Sequence, residues 1–271
     1  MTLLVGWVGI DNKKIDSFYI ASDSRLTWDS QQKYDCGKKI LALKNSPDLI
    51  AYCGDVLFPI ITLHKIADKD RNKLLFQGTE TNEEKATIIL SEIQNSFRNY
   101  PLEQVNGTID FVHISRTNRY EFLASNFHWE RKRGWTSIFY KLPNKSDKVF
   151  ILGSGTNSYL EVYEEYIRKS SSIQTSRLIF QSFCHWLSSS KSSVITCGGA
   201  PQLVGLFNNK TGKDFGIIFE KSRFFSGQEL FYRSGLNLNF VSWVNENFEI
   251  CDGYSMKRKS GAQAQPNDMK K

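Results

Sequence analysis

Four residues near the start of this chain, Thr2, Asp23, Lys39 and Gly54, have the types and spacing for acyl transfer by an N-terminal nucleophile. A threonine hydroxyl is a weak nucleophile until a nearby base takes its proton. Once Met1 is removed, Thr2 carries that base itself, an α-amine with an ordinary pKa of about 8 that can accept the proton and later return it to a leaving amine. A lysine ammonium nearby favours the neutral amine and stabilises a developing alkoxide, and an ionised aspartate holds the lysine in place. A glycine N–H can stabilise the oxyanion, because glycine lets backbone approach substrate closely. Each residue alone has a plainer reading: a turn cap for the Asp, a solvated side chain for the Lys, a bend for the Gly. Their joint placement points to chemistry.

Two β-hairpins would bring the four together. Short β-rich runs at Leu3 to Ile10 and Phe18 to Ser22 flank a turn at Asp11 to Lys14, and a register counted from that turn puts Thr2 opposite Asp23. Runs at Ile40 to Leu43 and Leu49 to Cys53 flank Asn45 to Asp48, and the same construction puts Lys39 opposite Gly54. Stacking the hairpins would gather the functional groups at their open ends.

Helical periodicity follows around Phe58 to Ala67 and from Glu83 to Phe97, where Ala86, Ile89, Leu90, Ile93 and Phe97 share one face. Strand signals return at Ile109 to Ile114, Tyr120 to Phe127, Trp135 to Tyr140 and Val149 to Leu152. Helices are expected at Ser158 to Arg168 and Ser176 to Leu187, then strands at Gln202 to Phe207, Phe215 to Phe219 and Glu229 to Tyr232. Strands apolar on both faces must be covered on both, so the expected fold is α+β: two stacked sheets with a helix pair outside each, a four-layer αββα sandwich. The expected organisation is one domain over 1–220, an extension over 221–256 packed on it, and a basic, disordered tail over 257–271.

Of the net charge of +7, the last fifteen residues carry +4, so the excess sits mostly in that tail and argues against a nucleic-acid surface. The first apolar run is short and lacks a basic leader, and no stretch reaches the ~18 apolar residues of a membrane span. Five cysteines without regular spacing suggest reduced thiols and a cytoplasmic location rather than a disulfide framework. No cofactor or metal is expected: His64, His113, His128 and His185 are isolated and lack ligand spacing. Cys184 and His185 are adjacent on a helix and point apart, and Trp129 to Arg133 reads as a solvated hairpin turn.

The segments Thr2 to Ile10, Ala21-Ser22-Asp23-Ser24-Arg25, Lys38-Lys39-Ile40 and Ala51-Tyr52-Cys53-Gly54-Asp55 resemble proteasome β-subunits and related bacterial ring peptidases of the N-terminal-nucleophile (Ntn) hydrolase type. The likeness spans roughly residues 2 to 220, with specific motifs in the first quarter and at Gly153-Ser154-Gly155. It implies Thr2 as nucleophile, Asp23 and Lys39 as its charge partners, Arg25 as a structural residue, Gly54 as oxyanion donor and Ser154 as a support for the amine. It also implies peptide or protein substrates, a homo-oligomer and an unfoldase partner. At Val194-Ile195-Thr196-Cys197-Gly198-Gly199 the chain departs from the pattern: Val194 stands for an acid and Cys197 for a serine, which implies a present but slow nucleophile. The leading expectation is a threonine-type amide hydrolase, a proteasome-like peptidase. The alternatives are a non-catalytic subunit of a similar assembly and a small-molecule amidase of the same fold.

Overall fold

The computed structural model describes residues 2–28, 32–170, 173–189 and 195–264. In chain order its strands and helices are β1 (Leu4–Asp11), β2 (Lys14–Ser22), β3 (Leu26–Thr27), β4 (Lys33–Tyr34), β5 (Ile40–Ala42), β6 (Asp48–Gly54), α1 (Leu57–Arg71) and α2 (Asn82–Phe97). Then come β7 (Ile109–Arg116), β8 (Phe122–Glu130), β9 (Gly134–Phe139), β10 (Asp147–Leu152), α3 (Thr156–Lys169) and α4 (Ser176–Ser188). The chain ends in β11 (Gln202–Phe207), β12 (Lys210–Phe219), β13 (Ser222–Phe225), β14 (Gln228–Glu229), β15 (Ser242–Asn245) and β16 (Ile250–Cys251).

One sheet runs β10-β1-β2-β11-β12-β13-β14, with β15 and β16 joined at β12; the other runs β5-β6-β7-β8-β9. Alternation along each strand explains the layers. Leu3, Val5 and Trp7 point to α3 and α4, whereas Leu4 and Val8 point to the other sheet. Ile50 and Tyr52 pack under α1 and α2, whereas Leu49, Ala51 and Cys53 fill the layer between the sheets. Three apolar layers separate four layers of structure, which is the αββα sandwich expected. The helices form where expected because their apolar positions recur every three to four residues, and α2 also starts on a capping box made by Thr81 and Glu84.

Both hairpin registers differ from the counted ones. Asn12 and Lys13 take left-handed φ values of 47° and 61° in a tight turn, and the pairing begins as counted, with Ile10 opposite Ile15. A bulge then excludes Asp16, whose carbonyl accepts from Asn208 N at 2.9 Å, so Trp7 faces Tyr19 and Leu4 faces Ser22. Asp23 therefore lies beside Leu3 rather than Thr2. In the second hairpin Leu43 N donates to Asp48 O at 2.9 Å and Ile40 faces Ala51, so Lys39 lies opposite Tyr52, not Gly54. The turn is Lys44 to Pro47 because the Asp70 carboxylate accepts from Lys44 N, Asn45 N and Ser46 Oγ, an anchor 24 to 26 residues away. A slip of two keeps every side chain on its expected face.

The short β3–β4 ribbon was not expected, and the strand expected at Glu229 to Tyr232 shrinks to Gln228–Glu229. Beyond residue 221, β15 pairs parallel to β12, and Lys259 N donates to Ile250 O, so the start of the basic tail is attached to the sheet. Val194 and residues 265–271 lie outside the described residues. Among the described residues no helix is long and apolar enough to cross a membrane.

Candidate active site

Asp23 directly follows β2 with its carboxylate wholly buried, and four donors converge on it. Oδ1 accepts from Lys39 Nζ at 2.8 Å and Leu3 N at 3.1 Å; Oδ2 accepts from Gly198 N at 2.9 Å and Arg25 N at 3.2 Å. A buried carboxylate needs such partners to remain charged, and the lysine supplies the countercharge. Lys39 is itself wholly buried, so two charges share one dry site beside the first strand.

Thr2, which is buried, precedes the amide held by Asp23. Its other flank is the turn before α3, where Gly153 has φ +100° and lies against the Thr2 carbonyl. The Ser154 hydroxyl at that turn is 2.8 Å from Thr196 Oγ1 and 3.7 Å from Cys197 Sγ. The Cys197 thiol is pushed up to about 11, chiefly by burial and then by the negative charge of Asp23. It is a neutral thiol at physiological pH.

Arg25 organises this side of the site. Its guanidinium makes a bidentate pair with Asp35, at 2.6 and 2.9 Å, and donates to the carbonyls of Ile195 and Cys197, each at 3.1 Å. The turn carrying Cys197 is thereby tied to the segment carrying Asp23.

Gly54 ends β6 with φ +100° and pairs with Ile109; a Cβ there would stand 2.1 Å from the Thr108 carbonyl. Only glycine fits. It lines a cavity of about 200 Å³ together with Thr27, Trp28, Asp55 and Tyr100. Thr27 Oγ1 and Tyr100 Oη are buried there without a partner.

The structure thus joins Asp23 directly to Lys39, joins Ser154 to Cys197, and links these two groups through Gly198 and Arg25. Gly54 lies two residues beyond Tyr52, whose N–H donates to Lys39 O at 3.1 Å. Sequence reasoning missed Gln202, Thr196 and Asp35. The buried Gln202 amide donates to the carbonyls of Asp23 and Gly37 at 3.1 and 2.9 Å and accepts from Lys39 N at 3.3 Å, so one side chain fixes both charged segments. Its only signal was a polar residue opening the apolar strand β11. Two histidines expected to be isolated are not: His113 Nε2 lies 2.8 Å from Asp48, and His128 Nδ1 lies 2.8 Å from Asp110. Among the described residues no three groups are placed to hold a metal ion.

No family model and no curated protein sequence matches the chain. Solved structures do. Anbu (ancestral beta-subunit) from Yersinia bercovieri matches with TM-score 0.54 and 10% identity over 78% of this chain and 86% of that one. The Anbu complex from Pseudomonas aeruginosa, solved as a helical assembly, matches with TM-score 0.55 and 10% identity over 83% and 88%. An Anbu (Gly-1) mutant from Hyphomicrobium sp. strain MC1 gives 0.52 and 11% over 79% and 87%. At such identity the likeness is one of architecture, and on that ground the chain has the Ntn fold of proteasome-like subunits.

Proposed function

We propose that this protein is a threonine-type Ntn hydrolase that cleaves peptide bonds as a subunit of a homo-oligomer. The observation that carries the reading is the buried Asp23–Lys39 pair, tied at 3.1 Å to the amide that follows Thr2. A buried ion pair adds little net stability, so its place beside the amide that follows Thr2 favours a chemical role.

On this reading, loss of Met1 frees the α-amine of Thr2. The amine takes the hydroxyl proton as Oγ1 attacks the substrate carbonyl, and it returns that proton to the leaving amine. Water then hydrolyses the resulting ester and regenerates the hydroxyl. Lys39 stabilises the alkoxide and keeps the amine neutral, Asp23 holds Lys39, and the Gly54 N–H receives the oxyanion. Ser154 steadies the amine. Assembly into an oligomer is supported by the helical assembly of the P. aeruginosa Anbu complex, which shares the fold.

Intact-mass measurement before and after a covalent probe for N-terminal threonine tests the reading. Loss of Met1 together with one adduct, absent in Thr2→Ala, is expected; an active preparation that retains Met1 would sink the mechanism. The thiol at Cys197 favours a second reading, a non-catalytic subunit that kept the charged pair, for which the same measurement gives no adduct.

A further inference from the structure

The extension beyond residue 221 reaches back to the candidate active site through the turn between β13 and β14. The two strands pair with Phe225 opposite Gln228, so Ser226 and Gly227 form a two-residue turn, and both take positive φ, 52° and 85°, as the tightest hairpin connections require. Gly227 is buried, and a Cβ built on it would stand 2.5 Å from Ser24 Oγ, 2.8 Å from Ser24 Cβ and 3.3 Å from Gly37 O. The bare backbone of the turn is therefore packed on the residue that follows Asp23 and on the residue two before Lys39.

Those two oxygens are also the ones that a buried amide grips. Gln202 Nε2 donates to Gly37 O at 2.9 Å and to Ser24 Oγ and Asp23 O at 3.1 Å each, while Gln202 Oε1 accepts from Lys39 N at 3.3 Å. The Ser24 hydroxyl donates to Ala200 O, Ser24 N donates to Gly198 O at 2.9 Å, and Gly37 N donates to Ser24 O at 2.9 Å. Ser24 is thus wholly buried where the segments carrying Asp23, Lys39 and the Gly198 amide meet. A side chain added to the turn would have to displace this junction, and a close-packed interior passes such a displacement on.

We infer that the β13–β14 turn is a positioning element of the active site: Gly227 packs Ser24 and Gly37 onto the Gln202 amide, and that amide sets the Asp23–Lys39 pair. Gly227 acts through these neighbours, in the way that a supporting shell holds reacting groups to their geometry. That the pair so placed serves peptide cleavage rests on the reading above.

The test compares Gly227→Ala with Gly235→Ala. Gly235 has a nearly equal φ of 87°, but a Cβ there would meet nothing within 4 Å, so the two variants share backbone strain and differ in pressure on Ser24. Peptide-resolved hydrogen exchange on the full chain reads residues 22–27, 35–40 and 196–201, whose amides include those bonded to Asp23, Ser24 and Gly198. Gly227→Ala is expected to raise exchange in these three stretches and leave β6 and β7 unchanged. It should also lower kcat for a peptide reporter by about 10-fold or more at unchanged KM, since a misplacement of about 1 Å at a reacting group can cost on the order of 100-fold. Gly235→Ala should do neither. A uniform rise in exchange across the fold, or a measurable kcat equal in the two variants, overturns the inference. If Gly227→Ala fails to fold, Ser24→Ala decides, because it removes the hydroxyl that lies between the turn and Gln202: unaltered exchange over 35–40 together with unaltered kcat overturns the inference. The two claims separate cleanly. A local rise in exchange in a chain that cleaves no peptide keeps the positioning role and sinks the hydrolase, and cleavage indifferent to Gly227 does the reverse.

Discussion

Gly153 stands so close to Thr2 that a Cβ built on it would lie 1.9 Å from the Thr2 carbonyl oxygen. The turn before α3 therefore fixes the start of the first strand from the side opposite Asp23. Gly153→Ala meets both this clash and a φ of +100°, so it should cost more than the ~1–3 kcal/mol of backbone strain alone. Gly134 is the control, with φ +73° and open space around it. Denaturant unfolding should rank Gly153→Ala well below Gly134→Ala, and equal stabilities would mean that the turn does not press on Thr2.

Asp23 and Lys39 are buried and 2.8 Å apart, so removing either partner leaves a charge without its match. Lys39→Met and Asp23→Asn should each destabilise by about 3–5 kcal/mol. The double variant should be milder than the sum, which a double-mutant cycle reads directly. On the proposed mechanism each single variant also lowers kcat by at least ~100-fold. Full activity in either would remove the pair from the chemistry, whatever its effect on stability.

The layers and the faces of the strands were legible in the sequence because apolar periodicity carries both. The hairpin registers were not. Asp16 is bulged out of the β1–β2 pairing and held by Asn208, and the second turn is set by Asp70, contacts that join segments far apart in the chain. Thr2, Asp23, Lys39, Gly54 and Ser154 could be singled out by local motif, whereas Gln202 and Thr196 act through long-range hydrogen bonds that no spacing announces.

Thr2→Ala should abolish turnover of any peptide cleaved by the intact protein while shifting the unfolding free energy by only about 1 kcal/mol, the scale of one hydrogen-bonding group. Residual activity near that of the unaltered chain would move the nucleophile elsewhere.

Cys197 ties the stability of the site to alkaline pH. Burial, then the charge of Asp23, raise its thiol from an ordinary 9.0 to about 11, against the opposing effects of the Ser154 and Thr196 hydrogen bonds and of Lys39. Below pH 9 the thiol is protonated in both folded and unfolded chains, and its contribution to stability is fully present. Between pH 9 and 11 the unfolded chain releases this proton and the folded chain holds it, so stability falls as pH rises, by on the order of 2 kcal/mol. Cys53 and Cys184 are raised by burial too and tilt the same limb in the same direction. The comparison that isolates Cys197 is therefore Cys197→Ser against the unaltered chain, where the hydroxyl does not titrate and the alkaline limb should be shallower. The same substitution gives Ser154 a stronger hydrogen-bonding neighbour than a thiol, so on the proposed mechanism it should raise turnover of a simple peptide reporter near neutral pH. Superimposable alkaline limbs would show that the Cys197 thiol is not held in its buried, neutral form. A shallower limb without faster turnover would leave the thiol in place and remove it from the support of the amine.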